Sequence, residues 1–379
     1  MFKRSVIVGY GRSPFTPAFK GQLATIRPDD ILAQVMRGLI DRTGINQNDI
    51  EDVIVGCAFP EAEQGLNIAR LASFIAGIPI RAGGVTVNRF CGSSMEAIHI
   101  AAGKIACGAG DLFVCAGIES MTRIPMTGFN PLPHPSLYET YPQAYEAMGV
   151  TAENVADRYY ISRKTQEEFA VASHKKAAAA FESGKLKDEI IPIRDGDHLI
   201  EHDGCIRPET SLEALAKLEP AFLKGGIVTA GTSSPLTDGS AAVIVCSEEY
   251  ANLHQLRKIA YIKSMAVSGC APEMMGIGPI SATHKALERV GLTIADMDII
   301  ELNEAFASQS LAVLKELKAD MKRVNLDGGA IAVGHPLGAS GARITGKAAM
   351  LLRRMNKKFA LSTMCIGGGQ GIATVLEAV

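Results

Sequence analysis

One stretch of this chain occurs twice. Residues 42–54 (RTGINQNDIEDVI) match residues 289–301 (RVGLTIADMDIIE), with Arg, Gly and the first Asp coinciding at a constant offset of 247. Each copy reads as the end of an amphipathic helix, a glycine stop, a short acidic turn and a strand. The same offset pairs Ala58-Phe59 with Ala305-Phe306, Ser93 with Ser340 and Asn88 with His335. A duplicated unit that alternates helix and strand restricts the chain to an α/β fold of two similar halves. The halves are expected over 1–118, completed by about 225–250, and over 248–379.

Between them, 119–247 has no counterpart and is expected to form an inserted domain. It opens with a proline-rich loop (Pro125, Pro131, Pro133, Pro135, Pro142), followed by helical patterns over 151–160 and 166–181. Thr165 with Glu168 three residues on predicts a capping box for the second helix, and Gly184 its stop. An insertion of this kind can cover a substrate, or it can be an ornament.

Three short segments put reactive side chains among glycines, where a backbone can turn at positive φ and approach a ligand closely. In Asn88-Arg89-Phe90-Cys91-Gly92-Ser93-Ser94, the cysteine follows the strand-like Val85-Thr86-Val87. It precedes a helical recurrence of Met95, Ile98, Ala101, Ala102 and Ile105. A thiol at such an elbow is expected to have a lowered pKa and N–H donors beside it. An inert buried cysteine is the competing reading. His335 stands between Gly334 and Pro336, on a tight loop rather than in a helix. Cys365 follows the strand-like Ala360-Leu361-Ser362-Thr363-Met364 and leads into Gly367-Gly368-Gly369. Two cysteines and a histidine suit thiol-based covalent catalysis. Asn303 ends a strand, where it can hold a water or a carbonyl, or cap a helix. His134, His174, His198, His202 and His254 read as surface residues.

The remaining features exclude more than they assign. Net charge is −2 with no block of like charge, so nucleic acid is not an expected partner. The eight cysteines form no C-x-x-C pair and no cluster with zinc-ligand spacing, so no metal is expected. No secretory signal is legible, and the uncharged stretch 359–376 reads as strand-turn-strand rather than a membrane span. A cytoplasmic, reduced protein is expected. Gly9-Tyr10-Gly11 imitates the start of a dinucleotide loop, but Pro14 stands where the third glycine belongs.

Taken together, four motifs in this order resemble the thiolases, acyl-CoA C-acyltransferases, over essentially the whole chain. They are Asn88–Ser94, Asn303-Glu304-Ala305-Phe306, the glycines 328–341 around His335, and Cys365–Gly371. The resemblance implies a duplicated five-layer αβαβα fold whose inserted loop domain holds coenzyme A. It implies Cys91 as the acylated nucleophile, His335 as its base and Cys365 as the acid or base at the substrate carbanion. One oxyanion hole would come from His335 and a water on Asn303, the other from the N–H groups of Cys91 and Gly367. Ser234, Arg207 and Phe222 match coenzyme A positions, and Met148 and Met275 match acyl-pocket positions. Coenzyme A is then a substrate, with no further cofactor. A homodimer or homotetramer is implied, and a hydratase/dehydrogenase subunit is an admissible partner.

Ala147, where many acetoacetyl-CoA-forming members carry histidine, and the run Glu63–Arg70 favour the degradative branch: 3-ketoacyl-CoA thiolysis in fatty-acid β-oxidation. The alternative is biosynthetic condensation of two acetyl-CoA. A ketoacyl synthase would carry a second histidine where Asn303 stands, and a non-catalytic homologue would lack Cys91 or His335. Cys115-Ala116-Gly117 departs from the paired glycines usual there, so altered packing beneath the site is expected.

Overall fold

Strand residues alternate between two apolar layers, as a period of two requires when both faces of a sheet are covered. In the computed structural model, which describes residues 3–379, Val53 and Val55 of strand Asp52–Gly56 pack outward with Leu32, Met36 and Leu39 of helix Pro28–Thr43. Ile54 between them turns inward, to Ala97 and Ala101 of helix Ser93–Ala106. The second copy repeats the scheme. Ile300 and Leu302 of strand Ile299–Leu302 join Ala282 and Ala286 of helix Gly278–Glu288, and Ile299 joins the inner cluster. Helix Ser340–Arg354 packs on helix Ser93–Ala106 and on strands of both halves. The layers therefore run helix, sheet, paired central helices, sheet, helix. This is the duplicated five-layer arrangement.

The strand order records the duplication. It reads Ile299–Leu302, Phe359–Ile366, Gln370–Ala378, Ala260–Gly269, Ser5–Arg12, Thr237–Ser247, Leu112–Ser120, Asp52–Gly56, Gly83–Val87. From the central junction outward, both directions place equivalent strands in the same sequence. The junction itself is only Val6 opposite Tyr261 and Ile7 opposite Ala260. In the second half the outermost strand is reduced to one bridge, Ile300 to Val324. Gly44 (φ 67°) and Gly291 (φ 64°) stop the two outer helices, as the repeat predicts.

Gly9-Tyr10-Gly11 lies inside strand Ser5–Arg12 and forms no loop. A Cβ on Gly9 would overlap the Thr43 methyl, so this glycine serves helix–sheet approach. The chain between strands Leu112–Ser120 and Thr237–Ser247 carries helices Met148–Arg158 and Arg163–Glu182. The second begins earlier than the capping box predicts. Ser162 is its N-cap, extended at ψ 156°, and accepts from the Thr165 N–H, so Thr165 is already helical. The stretch 359–376 forms the antiparallel hairpin Phe359–Ile366 with Gln370–Ala378. Among the described residues no helix is long and apolar enough to cross a membrane.

Candidate active site

The two central helices bring their N-termini together, and glycines make this possible. A Cβ on Gly341 would overlap the Met95 nitrogen, and one on Gly117 would overlap the Gly338 carbonyl oxygen. Gly117 is thus the glycine this contact needs, and Ala116 beside it faces the outer core without consequence.

Cys91 sits in the turn between strand Gly83–Val87 and helix Ser93–Ala106. Phe90 is held at φ 43°, a left-handed conformation costly for an aromatic residue. Side chains of the turn hold it there. Phe90 N–H donates to Asn88 Oδ1 (2.8 Å), Arg89 N–H to Ser93 Oγ (2.9 Å), and Ser93 Oγ–H to the Phe90 carbonyl (2.6 Å). The Cys91 thiol is buried, and the backbone N–H donors of Gly367 and of Cys91 itself act to lower its pKa. Burial pushes its pKa up to about 11 despite those two donors. The lowered value expected for the elbow is therefore not found in the resting enzyme. Desolvation of the thiolate outweighs the helix end.

His335 arrives from the other half. Gly334 at φ 108° turns the chain, and the His335 N–H donates to Thr237 Oγ1 (3.0 Å). His335 Nδ1 lies 2.5 Å from Ser340 Oγ, whose own hydrogen goes to the Pro336 carbonyl (3.0 Å). Ser340 therefore accepts from Nδ1–H, and Nε2 is left with a lone pair. Asn303 Nδ2 stands 3.3 Å from that nitrogen. Burial first, and Arg343 second, lower the His335 pKa to about 3, so the ring is neutral. Asn303 follows strand Ile299–Leu302, but the next helix starts at Ala307 with Phe306 at its N-cap. The capping reading of Asn303 falls away, and its buried Oδ1 has no protein partner.

Cys365 comes from the C-terminal hairpin, opposite Gly371, and Gly368 and Gly369 (φ 78° and 83°) reverse the chain. Burial, with the Cys91 thiol nearby, pushes its pKa well above normal. Cys365 shares an apolar cluster with Met148, Met275, Ala305 and Phe306. A Cβ on Gly367 would stand 3.7 Å from both Met148 Sδ and Phe90, so Gly367 borders the same space.

The Phe222 ring meets Phe306 edge-on at 5.8 Å, over the backbone of Gly149. Ser234 is tied to the Asn303 loop by its N–H donating to the Ala305 carbonyl (2.9 Å). Arg207 adjoins this group through Ser233 and Pro235, the neighbours of Ser234. It is exposed, and with Ser233 it borders a separate small cavity of about 40 Å³. Its N–H donates to His174 Nδ1 (3.2 Å). His174 is thus buried, not a surface residue, and burial and then Arg207 lower its pKa to about 4. Among the described residues no three His, Cys, Asp or Glu side chains gather as a metal site.

Sequence reasoning missed the braces behind the loops. Glu119, buried at the end of strand Leu112–Ser120, accepts from the N–H groups of Ala58 (2.8 Å), Phe59 (3.2 Å) and Gly338 (2.9 Å) and from Gln64 Nε2 (2.9 Å). One carboxylate so fixes loops of both halves. Glu304 does likewise for Ser173 Oγ (2.6 Å), Asn325 Nδ2 (2.7 Å) and the Ile331 N–H (3.2 Å). The available signal was a lone glutamate closing an otherwise apolar strand.

The duplicated five-layer fold, with the buried thiols of Cys91 and Cys365 in two apolar clusters and a buried neutral imidazole at His335, is that of an acyl-transferring enzyme. Family comparison agrees. Residues 5–249 match the thiolase N-terminal domain and 256–378 the thiolase C-terminal domain. The chain is 45% identical to the 3-ketoacyl-CoA thiolase of Bacillus subtilis (strain 168) and 49% identical to that of Shewanella loihica, over 99% of each chain. Among solved structures, a Bacillus anthracis acetyl-CoA acetyltransferase and human mitochondrial 3-ketoacyl-CoA thiolase in complex with CoA each superpose with TM-score 0.92 at 36% identity. They cover 100% of this chain and 99% and 98% of their own. The chain belongs to the thiolase family.

Proposed function

We propose that this protein cleaves 3-ketoacyl-CoA with free coenzyme A, giving acetyl-CoA and an acyl-CoA shortened by two carbons, through a thioester on Cys91. The observation that carries this reading is that Cys91 packs with Ile366, the residue between Cys365 and Gly367 of the opposite half. Cys91 attacks the 3-keto carbon while His335 Nε2 takes the thiol proton. The Cα–Cβ bond breaks, its electron pair passes to the acetyl-CoA enolate, and Cys365 returns a proton to that carbon. Coenzyme A thiol then attacks the Cys91 thioester, passing its proton to the Cys365 thiolate, and the departing Cys91 sulfur recovers the proton held on His335, which regenerates the enzyme. Asn303 and His335 serve the enolate oxygen, and the N–H groups of Cys91 and Gly367 serve the tetrahedral intermediate. Met148, Met275 and Phe306 supply an adaptable wall for the acyl chain. Phe222, Ser234 and Arg207 belong to the coenzyme A path. No cofactor is required, because each step uses only thiols, an imidazole and N–H donors.

Thiolysis in fatty-acid β-oxidation is favoured over condensation by the relatives' names and by Ala147. Mass spectrometry after mixing with acetyl-CoA tests the covalent step: an acetyl adduct is expected on the Cys91 peptide. Turnover without an adduct, or with one elsewhere, overturns it.

A homodimer in the cytoplasm completes the reading. Strand Gly83–Val87 pairs on one side only and lies against helix Ile68–Ile75. Leu66, Phe74, Ile75, Ile80 and Val85 are exposed around it, an edge and patch suited to a second copy. Val85→Lys is expected to shift the mass measured by light scattering towards the monomer. An unchanged mass would reject this edge as the interface.

A further inference from the structure

At the end of the central layer away from Cys91 lies a cavity of about 940 Å³ that the thiolysis chemistry does not use. It opens where helices Pro28–Thr43, Arg163–Glu182 and Ser340–Arg354 end beside strand Ser5–Arg12. Its floor is apolar, with Val8, Leu39 and Leu351. Its wall is cationic: Arg42, Lys185, Lys187, Arg257, Lys347, Arg353 and Arg354 face one carboxylate, Asp188. The chain as a whole has 38 basic and 40 acidic residues, so this is a local concentration.

Cations at helix C-termini are ordinary, because they offset the helix dipole. That accounts for part of the wall and not for its excess. Lys347 and Arg354 are already neutralised by Glu189 and Asp327. Arg42, Lys185, Lys187, Arg257 and Arg353 make no ion pair among the described residues. After Asp188, and about half a negative charge for each of three helix ends, the wall keeps roughly two to three uncompensated positive charges. Arg42 is also held ready, its guanidinium donating to the carbonyls of Asp188 (2.7 Å) and Ile190 (2.6 Å). A phosphate alone is far too small for this volume, which lies in the range of sites for drug-sized molecules.

We propose that this cavity binds an organic polyphosphate, its phosphates on the Lys187–Arg353 wall and a ring or aliphatic body on the apolar floor. A nucleoside polyphosphate has this chemistry, and so does a phosphorylated acyl carrier such as coenzyme A itself. The site communicates with the catalytic centre through one element. Helix Ser340–Arg354 starts at the hydroxyl that orients His335 and ends, roughly 20 Å on, in the cavity wall.

Calorimetric titration of ATP, of tripolyphosphate and of coenzyme A into the full-length enzyme tests this, with Lys187→Glu/Arg353→Glu and the milder Lys187→Gln/Arg353→Gln as variants. Neither side chain makes a hydrogen bond to another of the described residues, and the KM for coenzyme A in thiolysis serves as the folding control. ATP is expected to bind with coenzyme A saturating the active site, tenfold or more tightly than tripolyphosphate. The charge reversal is expected to weaken it at least tenfold with the coenzyme A KM unchanged. A second equivalent of coenzyme A taken up in place of ATP identifies the acyl carrier as the source. The proposal is overturned if ATP gives no heat at millimolar concentration, if saturating coenzyme A abolishes it without a second equivalent, if tripolyphosphate binds equally well, or if the variants bind ATP like the parent.

Discussion

Cys91 and His335 both rest uncharged at neutral pH, and for the same reason: burial disfavours thiolate and imidazolium alike. A stable ion pair is therefore not the ground state, and the proposed mechanism requires the proton to move as the sulfur attacks. With the thiol pKa near 11, alkylation of Cys91 by iodoacetamide in the free enzyme is expected to rise about tenfold per pH unit from about pH 8 to about pH 10. A plateau already reached near neutrality would show a preformed thiolate and defeat this account. Cys365 divides the reaction differently. Cys365→Ser is expected to keep the acetyl adduct on Cys91 while thiolysis falls by roughly a hundredfold or more, the scale of a lost general acid. Loss of the adduct as well would assign Cys365 to acylation. Asn303→Ala removes the amide beside Nε2 and is expected to lower kcat by about a hundredfold, with a smaller effect on adduct formation.

At the level of elements, the site depends on two helix N-termini touching. Gly117→Ala would press a methyl against the Gly338 carbonyl and Ser94, which backbone on both sides prevents from yielding. The expected cost is about 3 kcal/mol in urea unfolding, together with loss of activity. A fully active, equally stable variant would contradict the contact. The repeat made much of this legible in advance. Its offset set Ser93 against Ser340, and these residues do begin the two central helices. The positions of Cys91 and His335 follow, because each lies in the turn before its helix. What stayed hidden is long-range or set by burial. Nothing local in Glu119 or Glu304 says that each ties together loops far apart in the chain. The Cys91 pKa could not be read from its elbow, because the helix end is a local feature and desolvation belongs to the assembled fold. His174 failed likewise, since polar neighbours in sequence do not report on the layer folded above them. The early start of helix Arg163–Glu182 was a choice between two hydroxyl residues three positions apart, Ser162 and Thr165, settled by the backbone at Ser162.

The whole molecule is tied across its layers by buried charge. Arg12, at the end of the first strand, donates to Glu189 (2.9 and 2.7 Å) and to Asp203 (2.6 and 2.8 Å) in the inserted segment. Lys347 of the second central helix donates to Glu189 Oε2 (2.9 Å) and forms an ion pair with Asp327 (2.8 Å). Glu189 therefore joins the first half, the insertion and the second half. Burial alone would raise its pKa, but Lys347 and Arg12 overcome this and hold it at about 2, against 4.5 for a free carboxyl. The native state thus binds fewer protons than the unfolded chain between those values. The stabilisation is complete above about pH 4.5 and is lost as pH falls through about 2; a shift of this size corresponds to about 3 kcal/mol. Glu189→Gln keeps the shape but leaves Arg12 and Lys347 each short of a charge partner, so it is expected to cost about 3 kcal/mol at pH 7. That deficit should shrink as pH falls below about 4.5, because the parent's unfolded chain then takes up a proton at Glu189 that its native state does not bind. Urea midpoints of both proteins at pH 7, 4 and 3 provide the measurement. A gap between them that stays constant over that range would mean that Glu189 contributes by packing and not by charge, and that the layers are held together without it.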